Sequence, residues 1–229
     1  MSSIHLDSAK VYIIESPSAV NILENVYEGK PLSNILNMSG IQNEHFLVIN
    51  RKVLASVFEK IIDDAYNSAT PIMPYIHISA HGSDDGFKLA DDDLIEWKVF
   101  KEYLDTINTS QKLGYFTPTG SSLLCSPITL CMSVCNGING MKMCNESGIS
   151  PYAVLIGPTE SVHWADALIA FSTFYHLCIF KDKRGDEVVV QMNDASGLDK
   201  IFKFNFGNEF FKAVRNSKID KRLIDYNIS

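Results

Sequence analysis

The sequence predicts an α/β fold: a doubly wound, mainly parallel sheet of about five to six strands with helices on both faces, in one domain over residues 1–229. Three observations carry this expectation. Short apolar runs of strand length recur at wide intervals, at 10–15, 75–80, about 127–134 and 152–156. Between them lie segments with three- and four-residue apolar spacing. The clearest is 51–66, where Val53, Leu54, Val57, Phe58, Ile61, Ile62 and Ala65 mark one helix face. Two of the apolar runs also stop at a reactive residue closely followed by glycine, at His81-Gly82 and at Cys135-Asn136-Gly137. In an open parallel sheet the carboxyl ends of the strands are where ligands bind.

In chain order, 10–15 is the first strand, and Ser16-Pro17-Ser18 supplies a cap and the proline favoured at a helix start. A helix over 19–27 follows, with Val20, Leu23 and Val26 or Tyr27 on one face and Gly29 as its stop. A second helical piece covers 32–36. The run 45–50 reads as the second strand and feeds the long helix over 51–66. After a turn at 69–74 and the third strand at 75–80 comes a polar loop, 81–87. Asp91-Asp92-Asp93 reads as a solvated turn and cap before a helix from about 96 to 107, and 114–122 as a turn-rich loop. The fourth strand, about 127–134, leads through Gly137 and Gly140 to 141–144. The fifth, 152–156, is closed by Gly157-Pro158. The mostly apolar helix over 165–180 fits burial between other elements, because Asp166, Ser172, Thr173 and His176 interrupt it. The stretch 187–190 fits either a helix start or a strand. Residues 202–206 and a helical 208–214 close the fold.

Composition narrows the function classes. The net charge is −7 and there is no cluster of Lys and Arg, which argues against nucleic acid as a partner. No apolar run reaches the ~18–20 residues of a membrane span and the start carries no secretion pattern, so the expected location is cytoplasmic, with no membrane partner. Five cysteines, four of them between 125 and 144, then read as free thiols. Structural zinc favours closely spaced cysteine pairs, and none is present; neither a metal nor another cofactor is expected.

Neighbouring strands lie roughly 4.8 Å apart, so a histidine and a cysteine just past the ends of two adjacent strands can face one cleft. An imidazole within reach can deprotonate a thiol, and the histidine can later protonate a leaving amine. Gly82 and Gly137 fit backbone that approaches a substrate closely. The backbone N–H groups of Gly82 and Cys135 are candidates for an oxyanion hole. Period-two alternation places Cys131 and His77 inside their strands, where a buried thiol and a hydrogen-bonded core histidine are the simpler readings. Trp164 reads as packing.

The run Ile78-Ser-Ala-His-Gly-Ser-Asp-Asp-Gly86 resembles the Ser-x-His-Gly element of caspase-like peptidases, and Met132-Ser-Val-Cys-Asn-Gly137 resembles their strand-terminal nucleophile element. With Val154-Leu-Ile-Gly157 followed by a helix, the pattern over about 10–180 is similar to the bacterial CHAT branch of that group. The resemblance implies a clan CD cysteine endopeptidase acting on protein or peptide substrates, with His81 as base and Cys135 as nucleophile. It also implies specificity pockets at the strand ends, here Glu15, Ser133 and the loop Thr159-Glu160-Ser161. With Glu15 and Glu160 both in the pocket, the residue before the scissile bond would be basic. Either carboxylate fits equally a helix-capping role. The chain lacks the linker at which caspases are processed, so an activating partner or small ligand is the expected trigger, and a role in bacterial stress or antiviral defence is implied. The alternative is a non-catalytic module that binds a ligand or protein at the same edge.

Overall fold

A computed structural model describes residues 8–118, 121–183 and 186–216. Its main sheet has six strands: β1 (Ala9–Ser16), β2 (Gln42–Leu47), β3 (Met73–Gly82), β6 (Thr129–Ser133), β7 (Val154–Pro158) and β8 (Phe202–Phe206). They lie in the order β2-β1-β3-β6-β7-β8. All neighbouring pairs are parallel except β7–β8. A small antiparallel hairpin, β4 (Gly86–Lys88) and β5 (Leu94–Glu96), continues from the end of β3. The chain leaves β1 for β2 on one side and returns to β3 on the other, so the topological switch lies between β1 and β3, where doubly wound sheets place their ligands.

The helices are α1 (Ala19–Glu24), α2 (Gly29–Met38), α3 (Arg51–Asn67), α4 (Trp97–Asn108), α5 (Trp164–Tyr175), α6 (Asp186–Ser196) and α7 (Asn208–Asn216), with a 3-10 stretch at Gly137–Asn145. Alternation along the strands sorts the core into two layers. Tyr12, Ile14, Ile76, Ile78, Leu130 and Met132 pack on α3 and α4. Val11, Ile13, Cys131 and Ile156 face α2, α5 and α6. Strands buried on both faces read as continuous apolar runs, which is why β1, β3, β6 and β7 were legible.

Elsewhere the expected boundaries move, each for a physical reason. β2 spans Gln42–Leu47, shifted towards the amino end of 45–50, because it is an edge strand whose half-exposed side chains need not be apolar. The first helix ends at Glu24, where Asn25 turns left-handed at φ 57°, and Val20, Leu23 and Val26 lie on the surface. Gly29 begins the next helix instead of stopping the first. The ambiguous stretch 187–190 is helical, within α6. The apolar helix over 165–180 becomes α5 followed by a π-type turn, His176–Phe180. In the aspartate run, Asp93 pairs with Arg51, whose Nη2 donates to Oδ1 at 3.0 Å, in the turn between β4 and β5 and not at a helix start.

Candidate active site

Residues on one face of β3 and β6 form successive levels towards the carboxyl edge. At the deepest polar level His77 pairs in register with Cys131, and one step further out Ser79 pairs with Ser133. Two residues beyond come His81, still in β3, and Cys135, in the turn that follows β6, and both line one open cavity of about 420 Å³ with Asn21, Ala80, Ser133 and Trp164. His81 is exposed and Cys135 half-buried, so both are accessible.

Glycine makes the approach of the two strand ends possible. A methyl group placed on Gly82 would overlap the Cys135 carbonyl oxygen and stand 2.6 Å from the Cys135 nitrogen, so Gly82 and Cys135 run side by side without room for a side chain. Immediately after Cys135 the chain reverses. Asn136 is left-handed at φ 57° and ψ 27°, and Gly137 N–H closes the turn on the Val134 carbonyl at 2.9 Å. A β-carbon on Gly137 would meet the Met132 carbonyl at 2.6 Å. Asn136 N–H donates to the Glu160 carbonyl at 3.3 Å, tying this turn to the loop after β7.

The group that orients the histidine comes from α1. His81 Nε2 lies 2.7 Å from Asn21 Oδ1. Ser18, the N-cap of α1, donates its hydroxyl to the same oxygen at 2.6 Å and accepts Asn21 N–H at 3.2 Å. An amide oxygen already taking a hydroxyl proton acts as acceptor towards the ring, so Nε2 carries the hydrogen and Nδ1 is the basic nitrogen. The Trp164 ring meets the imidazole edge-on, at 5.7 Å between centroids and 73° between planes. Asn21 lies 60 residues from His81 in the sequence, and no local pattern joins the two.

The remaining expected site residues divide. Ser133 lines the cavity and is 5 % exposed. Glu15 lies apart from that lining: it is fully buried, accepts the Gly29 N–H at the start of α2 at 2.5 Å, and meets His45 Nε2 at 2.7 Å. Gly29 permits this because any β-carbon there would fall 2.5 Å from Glu15 Oε2. The Glu160 side chain is exposed and also outside the cavity wall, which its neighbour Ser161 joins. The condition for a basic specificity pocket, both carboxylates in the cavity, is therefore not met by their positions. Cys131 and His77 are fully buried. Burial raises the Cys131 thiol far above its ordinary range, and His77 Nδ1 meets the Tyr175 hydroxyl at 3.0 Å.

A second, apolar cleft of about 340 Å³ lies at the opposite ends of the strands, walled by Tyr75, Val154, Phe174, Phe204 and Phe206. Among the described residues no group of three or more His, Cys, Asp and Glu is placed to hold a metal ion, and no helix is long and apolar enough to cross a membrane. The sheet and its helices define a doubly wound α/β protein with its candidate site at the carboxyl edge. No protein-family model matches the chain, and no curated protein matches it.

Proposed function

We propose that the chain is a cysteine endopeptidase in which Cys135 is the nucleophile, His81 the base and Asn21 the group that holds the imidazole. One observation carries this reading: a half-buried thiol and an exposed imidazole at the ends of neighbouring parallel strands share one cavity, with the imidazole N–H committed to an amide oxygen. In the reaction His81 Nδ1 takes the thiol proton and the thiolate attacks a peptide carbonyl carbon. The oxyanion then accepts from the backbone N–H groups of Gly82 and Cys135. The imidazolium returns its proton to the leaving amine, and water activated by the same histidine hydrolyses the thioester.

The substrate on this reading is a protein or peptide segment that reaches the cavity from solvent. An activating partner or small ligand would act most directly on α1, which carries Asn21 and has no buried residue, while Val20, Ile22, Leu23 and Val26 beside it present apolar surface. The test is hydrolysis of a mixed fluorogenic peptide pool together with iodoacetamide labelling resolved by cysteine. Cys135→Ala and His81→Ala should each abolish hydrolysis, and Cys131→Ala should leave it intact. Labelling of Cys135 at the rate of an ordinary exposed thiol, unchanged by His81→Ala, would sink the proposal.

A further inference from the structure

Beneath the cavity floor lies a carboxylate that the reaction above does not use. Glu28, between α1 and α2, is 1 % exposed. Its Oε2 accepts two hydroxyls: Ser79 Oγ at 3.1 Å and Ser133 Oγ at 2.5 Å. Those serines are direct partners across β3 and β6, and each stands two residues before a member of the His81–Cys135 pair. Its Oε1 is 3.4 Å from His77 Nε2, and neither of these atoms makes a hydrogen bond among the described residues. Burying a carboxylate is costly unless its oxygens are satisfied, and Glu28 leaves one oxygen unbonded while giving the other to both strands. Side chains that only fill space do not need that arrangement.

We propose that Glu28 is a positioning residue: by accepting from Ser79 and Ser133 together, it fixes the separation of the strand ends that carry His81 and Cys135. The hydroxyls act as two hooks on one carboxylate oxygen. Since the next level outward has no side chain between Gly82 and Cys135, the spacing there is set by backbone contact from above and by Glu28 from below. The geometry also explains why serine stands at both 79 and 133: a hydroxyl is short enough to reach a shared oxygen across one strand spacing.

This inference rests on the dyad for its catalytic consequence but not for its structural one, and the experiment separates them. Amide hydrogen exchange is followed by mass spectrometry in peptides covering 79–83 and 133–137, with β1 and β2 as reference, alongside the iodoacetamide rate at Cys135 as a function of pH. Ser79→Ala and Ser133→Ala should each speed exchange in both peptides by roughly tenfold, as expected for losing one buried hydrogen bond, and Glu28→Ala, which removes both bonds, by at least as much, with the reference strands unchanged. In a Glu28→Ala background, Ser133→Ala should add nothing, because both remove the same bond. Glu28→Gln keeps an acceptor oxygen and should restore at least half of the protection. Should Glu28→Ala not fold, the two serine variants carry the test. Wild-type exchange rates in the serine variants, or additive effects in the double variant, overturn the clamp whatever the chemistry. A clamp that passes while Cys135 labels like an ordinary thiol instead overturns the peptidase reading. Altered KM for one class of peptide with unaltered exchange would make Glu28 a substrate contact and overturn the clamp too.

Discussion

Replacing Gly82 by alanine perturbs the site with the smallest chemical change. The backbone at 82 is not left-handed, so alanine adopts it without torsional strain and the whole cost is steric. The new methyl would stand 2.6 Å from the Cys135 nitrogen and 2.9 Å from the Val134 β-carbon, and would overlap the Cys135 carbonyl oxygen. Ordinary contact begins near 3.4 Å, so relieving the nitrogen contact alone moves the two strand ends apart by 3.4 − 2.6 = 0.8 Å. The two Cys135 contacts are backbone and the third is a β-carbon fixed to it, so none can rotate away as a side-chain tip can. Overpacking of this kind costs about 1–3 kcal/mol of stability. A displacement of about 1 Å between catalytic groups costs on the order of 10²-fold in rate. The expected outcome is a lowered urea midpoint with an unchanged slope, and a peptidase rate down by about 10²-fold in protein that is still fully folded in buffer. Gly82→Ala with wild-type stability and wild-type hydrolysis would refute the close approach of the two strand ends, and with it the shared site.

Asn21→Ala removes the acceptor for His81 Nε2–H. Hydrolysis should fall by about 10–100-fold with little change in stability, and the pH profile of Cys135 alkylation should shift as the ring loses its fixed tautomer. Alkaline pH should weaken the fold. Burial raises Cys125 to about 11, with the Glu209 carboxylate adding to it, and lifts Cys131, Tyr152 and Tyr175 further above their ordinary ranges. The unfolded chain ionises these groups from about pH 8.5 upwards while the native state keeps their protons, so stability is whole below that point and declines as pH rises. Urea midpoints between pH 7 and 10.5 measure this, and a flat profile would contradict it. Lys10→Met should lower stability, because burial alone would raise Asp64 but Lys10 at 2.6 Å and Lys60 at 3.3 Å hold it below its ordinary range. The loss, about 1 kcal/mol, should be full above about pH 4, where the unfolded chain's Asp64 is ionised, and shrink as pH falls below that towards the lower value of the native carboxylate.

Much of the sheet was legible because β1, β3, β6 and β7 are buried on both faces, and continuous burial writes itself as Val, Ile, Leu, Met and Cys in a row. β2 was displaced because Gln42-Asn43-Glu44 lies at the sheet edge, where one polar flank is stable in water. The β4–β5 hairpin carries no strand pattern in the sequence: its strands are three residues each and owe their shape to Trp97, whose N–H groups bind the Asp84 and Asp85 carbonyls at 2.9 and 3.0 Å. His81 and Cys135 could be singled out since a strand end followed by glycine is a local pattern. Asn21 and Glu28 could not. Their meaning comes from partners 60 residues away for Asn21, and 51 and 105 residues away for Glu28, and nothing in a six-residue helix or the turn after it advertises such a partner. Glu15 was conspicuous for its position at the end of β1, yet position in sequence does not say whether a carboxylate turns outward or, as here, caps a helix from below.

On the proposed reading, the molecule contains its own control for what would make a histidine–cysteine pair reactive. His77 and Cys131 are cross-strand partners on β3 and β6, and the same two residue types recur four positions on, with His81 still in β3 and Cys135 two residues past the end of β6. At the inner level both side chains are fully buried. The imidazole there spends Nδ1 on the Tyr175 hydroxyl, and desolvation keeps the thiol protonated. At the outer level the cavity opens to solvent, the imidazole N–H is held by Asn21, and the chain turns away at once through Asn136 and Gly137, leaving Cys135 on the rim. Between the two levels Glu28 holds Ser79 and Ser133. On the proposed reading the inner pair is the inert version of the outer one, and the features that separate them, access, an orienting amide and a sharp turn after the thiol, are the ones on which reactivity at Cys135 would depend. Exchanging these environments gives the sharpest form of the argument: Tyr175→Phe frees the His77 ring but should leave Cys131 unlabelled by iodoacetamide in folded protein, because removing a hydroxyl does not admit water to a thiol with no exposed surface. Labelling of Cys131 in that variant at a rate approaching that of Cys135 would mean that hydrogen bonding, not access, distinguishes the two levels.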